Sequence, residues 1–306
     1  MRKESVPGGF VEYTQMDPEK YSLVIGLRTD FHNIYGTLFT PRIHFKYNFT
    51  DKTIMRTSVG KGYRSPSIIA ENSYLLASSR TLKVLEEPKM EEAWNFGINL
   101  TQYLKLAGKD LSINIEFYRT EFSNQIVIDR DQKSSEVFIY NLDGKSYSNS
   151  FQIEANYELF KGFDILLAAR YNDVKMTINN ELVRKPLVSD FKGLINLSYA
   201  TNLKKWQFDF TAQLNGKSRI PNTSSNPVQY QMETMSPSYT LLNTQITKYF
   251  KRFEIYIGGE NLTNYKQQNP ILASDDPFGE YFDSSMIWGP ISGRKIYAGI
   301  RYHIKK

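Results

Sequence analysis

Hydrophobic and polar residues alternate one for one through long stretches of this chain. In residues 151–160 (FQIEANYELF), Phe151, Ile153, Ala155, Tyr157 and Leu159 fall on one face, against Gln152, Glu154, Asn156 and Glu158 on the other. Residues 206–215 (WQFDFTAQLN) repeat the arrangement, with Trp206, Phe208, Phe210, Ala212 and Leu214 against Gln207, Asp209, Thr211, Gln213 and Asn215. The same alternation runs through residues 43–49, 111–117, 163–171 and 296–304. A period of two sorts side chains onto opposite faces of a strand, whereas a helical period of about 3.6 would mix the two sets. Segments of this kind number about thirteen, many of roughly ten residues, the length at which a tilted strand crosses a bilayer. Ordinary soluble strands average only about five or six residues.

The joints between strands fall into two classes. Short turns are expected at Asp17-Pro18-Glu19-Lys20, Asp51-Lys52, Ala107-Gly108-Lys109-Asp110, Lys161-Gly162 and Lys251-Arg252. Longer connections intervene, notably residues 66–87, 216–236 and 265–293. Short turns on one rim and long loops on the other characterise outer-membrane barrels. A soluble sandwich also alternates apolar-in and polar-out, but strand length, strand number and loop asymmetry favour an all-β, antiparallel transmembrane β-barrel. Trp206, Phe208, Phe210, Phe151, Ile153, Leu111, Ile113, Ile296 and Ile300 should then face lipid, and Gln207, Asp209, Gln152, Glu154, Ser112 and Asn114 the lumen.

Strand parity adds an expectation about completeness. The last strand follows a long loop and should end on the short-turn side, so with about thirteen strands the first should begin on the long-loop side. A complete bacterial barrel has an even count with both ends in the periplasm. The chain therefore reads as one domain, residues 1–306, that starts in mid-barrel. Two unpaired edges in lipid would be costly, so the fragment alone is expected not to insert or transport, and to aggregate or pair through its edges.

Composition agrees with patterned burial. Hydrophobic residues make up 41% of the 306, with 21 Tyr and 19 Phe, yet the mean hydropathy is negative. Aromatics favour strands, and Tyr suits half-wet interfaces. No stretch approaches the roughly 18 apolar residues of a spanning helix, and no apolar segment of a signal peptide follows Met1-Arg2-Lys3-Glu4. With no Cys, disulfides, thiolate metal sites and Cys nucleophiles are excluded. The net charge of +6 reads as a solvated surface.

Candidate chemistry is sparse. His32, His44 and His303 are scattered, without metal-ligand spacing. His44 shares a polar face with Arg42 and Lys46 and is expected in the lumen. Gly60 and Gly62 precede no helix, so they read as strand glycines, not a phosphate loop. No catalytic, metal or cofactor site is expected, and the chain is not read as an enzyme. Aromatics and charges fall on opposite faces of each strand, which argues against nucleic-acid binding. The acidic residues Asp275, Asp276, Glu280 and Asp283 fall in the last long connection. Carboxylates are calcium ligands, but the spacing is not that of an EF-hand, and a solvated loop is the preferred reading.

Several segments together resemble the C-terminal half of TonB-dependent receptors. Residues 23–67 resemble the family's succession G-x-R-x-D, P-R and R-x-x-x-G-x-G-Y-R-x-P through Gly26, Arg28, Asp30, Pro41, Arg42, Arg56, Gly60, Gly62, Tyr63, Arg64 and Pro66. Glu92 and Gly97 fit a following strand motif, residues 117–126 (FYRTEFSNQI) match F-Y-x-x-x-F-x-N-x-I, and residues 141–154 match with Ser150 in place of Gly. Residues 258–305 combine N-L-T-N (from Asn261), N-P (Asn269, Pro270), W-G-P (Trp288 to Pro290) and G-R-x-x-Y-x-G (Gly293 to Gly299). Departures are the ending Tyr302-His303-Ile304-Lys305-Lys306, where family barrels often end on an aromatic residue, and the absence of the preceding plug domain.

The resemblance implies part of a larger barrel of the 22-strand type, in the outer membrane of a Gram-negative bacterium and embedded in its lipid. It further implies active uptake of a ferric siderophore or cobalamin-like chelate, driven by TonB with ExbB and ExbD through the missing plug. A binding or adhesion barrel without transport is the alternative. Arg28, Arg42 and Arg64 could line a basic path for an anionic chelate; pairing with lumen carboxylates such as Glu116 or Glu154 is preferred.

Overall fold

The computed structural model describes residues 3–304, so the sequence boundaries at Met1-Arg2 and Lys305-Lys306 lie outside the described residues. Thirteen strands follow one another in a single antiparallel path: β1 (Gly8–Asp17), β2 (Tyr21–His32), β3 (Gly36–Thr50), β4 (Thr53–Arg64), β6 (Glu91–Leu106), β7 (Lys109–Asn124), β10 (Ser146–Phe160), β11 (Phe163–Ile178), β13 (Phe191–Ala200), β14 (Trp206–Asn215), β15 (Tyr239–Tyr249), β16 (Phe253–Glu260) and β17 (Lys295–Tyr302). A short β12 (Glu181–Arg184) pairs with the end of β11. The remaining strands, β5 (Thr81–Val84), β8 (Ile126–Asp129) and β9 (Glu136–Asn141), form a separate small sheet. Among the described residues β1 pairs only with β2 and β17 only with β16, so the sheet is open.

Register turns the alternation of each strand into rows across the sheet. Ser22, Lys46, Arg56, Asn99, Glu116, Gln152, Arg170, Lys192 and Asn215 are successive cross-strand partners from β2 to β14. One residue along, Tyr21, Tyr47, Met55, Leu100, Ile115, Ile153, Ala169, Gly193 and Leu214 form the neighbouring row. Because the side-chain period is two, adjacent rows emerge on opposite faces. The polar face knits itself together: Asn99 Nδ2 donates to Asn114 Oδ1 (2.7 Å) and Glu116 Oε1 (3.1 Å), Arg170 Nε to Gln152 Oε1 (2.8 Å) and Ser198 Oγ to Asp209 Oδ1 (2.7 Å). His44 lies on this face near Arg56, Asn99 and Glu116.

The apolar face has no second layer over it. Trp206, Phe208, Phe151, Ile153, Ile296 and Ile300 are all exposed, Phe151 at 45% and Ile300 at 71%, which excludes a sandwich core at these positions. Such a face requires an apolar surrounding. Rings gather near the short turns, where Phe160 stacks on Phe163 (5.0 Å) and Phe250 on Phe253 (4.5 Å). Tyr199, Phe208 and Trp206 continue the band, and Lys248 Nζ sits 4.8 Å from the Trp206 ring. Aromatic girdles of this kind mark the edge of a barrel's lipid-facing band.

The rims separate as the sequence reading expects. Residues 18–20, 51–52, 107–108, 161–162, 201–205 and 250–252 join strands at one end, and the connections 65–90, 216–238 and 261–294 stand at the other. Gly162 has φ +82°, and a Cβ there would fall 2.4 Å from the Ala200 carbonyl oxygen, so this turn needs glycine. Two joints refine the expectation. Residues 33–35 make a tight turn on the long-loop rim, and residues 125–145 form a further long connection there, carrying β8 and β9. Gly60 and Gly62 stay in register against Asn95 and Ala93 as part of a strand.

Candidate functional site: a basic cavity under the loops

The apolar clusters lie among the loops and against the top of β11. Leu75, from a 3₁₀ turn (Ser73–Ala77) that follows helix α1 (Ile68–Glu71), packs with Val137 and Ile139 of β9. Ile126 and Ile128 of β8 join this cluster, while Val127, between them, packs with Met176 and Ile178 at the top of β11. Strand alternation thus places β8 between two small cores. Each fully buried aliphatic side chain contributes about 1.5–3 kcal/mol, enough to give the loops a fixed shape.

Ion pairs tie this unit together. Arg80 and Asp283, both nearly inaccessible to solvent, meet at 2.6 Å. Arg219 forks onto Asp131, Nη1 to Oδ1 at 3.0 Å and Nη2 to Oδ2 at 2.8 Å. Asp129, fully buried, accepts from the Asp131 N–H (2.8 Å), Gln132 Nε2 (2.7 Å) and the Tyr140 hydroxyl (3.4 Å). Burial, reinforced by Asp129, pushes the Tyr140 phenol up to about 12. The connections after β4, β7, β14 and β16 therefore form one cap.

Beneath the cap is a cavity of about 470 Å³. Three cations line it, Arg64, Arg130 and Lys185, with Glu71 and Glu91. Arg64 pairs with Glu91 and, at 3.3 Å, with Glu71. Arg130 is buried and makes no ion pair among the described residues; it donates to the Ser285 carbonyl (3.2 Å) and hydroxyl (3.3 Å) and lies 5.7 Å from the Tyr74 ring. Asp283 and Asp131, the carboxylates whose charge acts on it, are engaged by Arg80 and Arg219. Burial lowers the Arg130 pKa and Tyr74 partly offsets this, though an arginine stays charged throughout. Lys185 is an exposed residue of the cavity wall, yet the protein around its ammonium lowers its pKa by desolvation; Glu91 opposes the shift and Arg64 adds to it. An anion in the cavity would relieve a charge that burial has left unneutralised.

The residues singled out by sequence are dispersed. Arg28 bonds Asp30 on its own strand (2.8 and 2.7 Å), and Arg42 reaches Glu12 across β2 (2.6 Å). Both line a separate depression on the wall. The expected partners Glu116 and Glu154 instead accept from asparagines, Asn99 and Asn114 in one case and Asn156 in the other. Neighbours two residues along a strand, or directly across it, are closer than carboxylates several strands away. Of the three arginines, only Arg64 lines the basic cavity.

The acidic group also divides. Asp275, Asp276 and Glu280 are exposed as expected for a solvated loop, but Asp283 is not; its buried pairing with Arg80 corrects the solvated reading. Among the described residues no group of three or more His, Cys, Asp or Glu is placed to hold a metal ion. The N-L-T-N segment is a structural turn at the base of the last loop. Asn261 Nδ2 donates to the Tyr265 (2.8 Å) and Ser292 (3.1 Å) carbonyls, and Asn264 Oδ1 accepts the Arg294 N–H (3.0 Å).

Residues 6–262 match the family described as TonB dependent receptor-like, beta-barrel. No curated protein matches the chain in sequence. Among solved structures, a double mutant of the ferric enterobactin receptor PfeA from Pseudomonas aeruginosa has a TM-score of 0.71 at 15% identity, covering 97% of this chain and 44% of that one. The copper transporter OprC gives 0.74 at 16%, covering 98% and 47%. The siderophore receptor PirA from Acinetobacter baumannii gives 0.70 at 14%, covering 98% and 46%. The chain spans less than half the length of each, and at these identities the likeness is one of fold. No helix among the described residues is long and apolar enough to cross a membrane, which says nothing about crossing by strands.

Proposed function

The chain belongs to the TonB-dependent receptor-like β-barrel family, and on that premise we propose that it forms part of the wall and cap of a Gram-negative outer-membrane receptor that imports an anionic metal chelate of the siderophore type. The observation that carries this reading is Arg130, a buried guanidinium that makes no ion pair among the described residues, beside Arg64 and Lys185 in one cavity under the loops. An anionic chelate resting there would meet three cations against two carboxylates. Charge-assisted hydrogen bonds to such groups contribute about 1.5–3 kcal/mol each. The wall's part is physical: its strands satisfy their backbone hydrogen bonds within lipid while presenting a polar face to the passage. Energy for release would come from TonB, with ExbB and ExbD, through a plug domain held against that face.

The reading favours a siderophore over a cobalamin-like ligand because the cavity selects for negative charge. Uptake of a labelled anionic ferric chelate by cells expressing the complete receptor tests it. Accumulation that requires TonB and the proton gradient is the expected result. Binding at the cell surface without TonB-dependent accumulation would favour the adhesion or binding barrel instead.

A further inference from the structure

A second cavity, of about 430 Å³, opens between the loop after β14 and the loop after β16. Its chemistry is the reverse of the basic cavity's. Tyr230, Tyr265 and Trp288 line it, and Met232 and Met235 add flexible, polarisable thioether walls. No lysine or arginine lines it, whereas Glu233 and Asp275 do. Both carboxylates are exposed, and neither makes a side-chain hydrogen bond or ion pair among the described residues.

The rings are fixed by the loops and by the first residue of β15. Tyr265 stacks on Tyr239 at 4.8 Å, and Trp288 lies 6.0 Å from Tyr239 and 6.5 Å from Tyr265. Tyr230 stacks on Tyr281 at 5.5 Å. The buried Gln267 pins the backbone that carries Trp288: its Oε1 accepts from the N–H groups of Trp288 (2.8 Å) and Gly289 (3.0 Å), and its Nε2 donates to the Met286 carbonyl (3.0 Å). A ligand entering here would find its aromatic walls already ordered, which removes part of the cost of binding.

The geometry points to a binding site for an organic cation, a quaternary or protonated amine with an aromatic or apolar arm. Aromatic faces attract such a charge through their quadrupoles, and two uncommitted carboxylates add a field of the same sign. That field repels an anionic chelate, so this site and the basic cavity select different ligands, and the inference does not rest on the uptake reading.

Calorimetric titration of the complete receptor in detergent separates the possibilities, with benzyltrimethylammonium, benzyl alcohol and benzoate as probes. Saturable binding of the cation, about tenfold or more tighter than benzyl alcohol, is expected from a cation–π and carboxylate contribution of this size, with benzoate not bound. The exposed pair Glu233→Gln and Asp275→Asn should weaken the cation about tenfold. Trp288→Leu should weaken it further, and Trp288→Phe should retain part of the affinity. Absence of saturable cation binding, equal binding of benzyl alcohol, or an unchanged affinity in the carboxylate double variant would overturn the assignment.

Discussion

Arg80 and Asp283 stand 203 positions apart in the chain and meet Nε to Oδ2 at 2.6 Å, with side chains only 2% and 4% exposed. Around them the Ser79 N–H donates to the Phe282 carbonyl (2.8 Å) and Ser284 Oγ to the Ala77 carbonyl (2.6 Å). The pair is thus the centre of a seam that fastens the first long loop to the last. Removing one partner strands a buried charge, at a cost of about 3–5 kcal/mol. Replacing both by apolar residues removes that charge but leaves the Ser285 N–H, which donates to Asp283 Oδ1 at 2.7 Å, without its acceptor, at about 1–3 kcal/mol. Asp283→Asn should therefore speed hydrogen exchange at Ser79 and Leu272, whose N–H groups donate to the Phe282 and Asp283 carbonyls, and the double change Arg80→Met, Asp283→Leu should recover part of the protection. Unaltered exchange in the single variant would mean that the seam is held elsewhere.

Tyr140 makes the cap sensitive to alkali. Its phenol, pushed up to about 12 by burial and by Asp129 from an ordinary 10.0, favours the neutral form in the folded cap. The associated stability is complete below pH 10 and is lost as pH rises toward 12. Tyr140→Phe has no such group to ionise. Proteolysis of the cap followed across this range should show loosening in the parent protein that is reduced in the variant; identical pH profiles would remove Tyr140 from the account.

The two faces of β10 make opposite demands on a cation. Ile153 is on the uncovered apolar row and Gln152 on the polar row beside Arg170. In a bilayer, Ile153→Lys should destabilise the barrel by about 2–4 kcal/mol if it lies near the midplane, while Gln152→Lys should be tolerated within roughly 0.5 kcal/mol. Urea unfolding of the complete receptor in lipid vesicles measures both. Equal effects at the two positions would contradict the assignment of faces.

The wall was legible in the sequence because its information is local. FQIEANYELF and WQFDFTAQLN declare their faces without knowledge of any partner, and Lys161-Gly162 announces its turn by a glycine that the backbone requires. The cap was not legible, since its contacts join residues far apart. Nothing around Asp283 in DDPFGEYFD distinguishes it from its exposed neighbours, and Arg80 sits in an unrelated segment. Arg130 and Lys185 escaped for the same reason: what singles them out is the cavity they share. One signal could have been used. EVFIYN, residues 136–141, alternates inside a long connection, and its Val137 and Ile139 prove to be core.

The most direct test is a binding titration of the complete receptor with an anionic ferric tricatecholate. Arg130→Gln together with Lys185→Gln should weaken binding by about a hundredfold, the loss of two charge-assisted contacts, and Lys185→Gln alone, at an exposed position, should weaken it by about tenfold. Arg28→Gln with Arg42→Gln, in the separate depression of the wall, should leave it unchanged. Undiminished affinity in the first pair, or a greater loss in the second, would contradict the claim that the cavity beneath the loops is where the chelate is held.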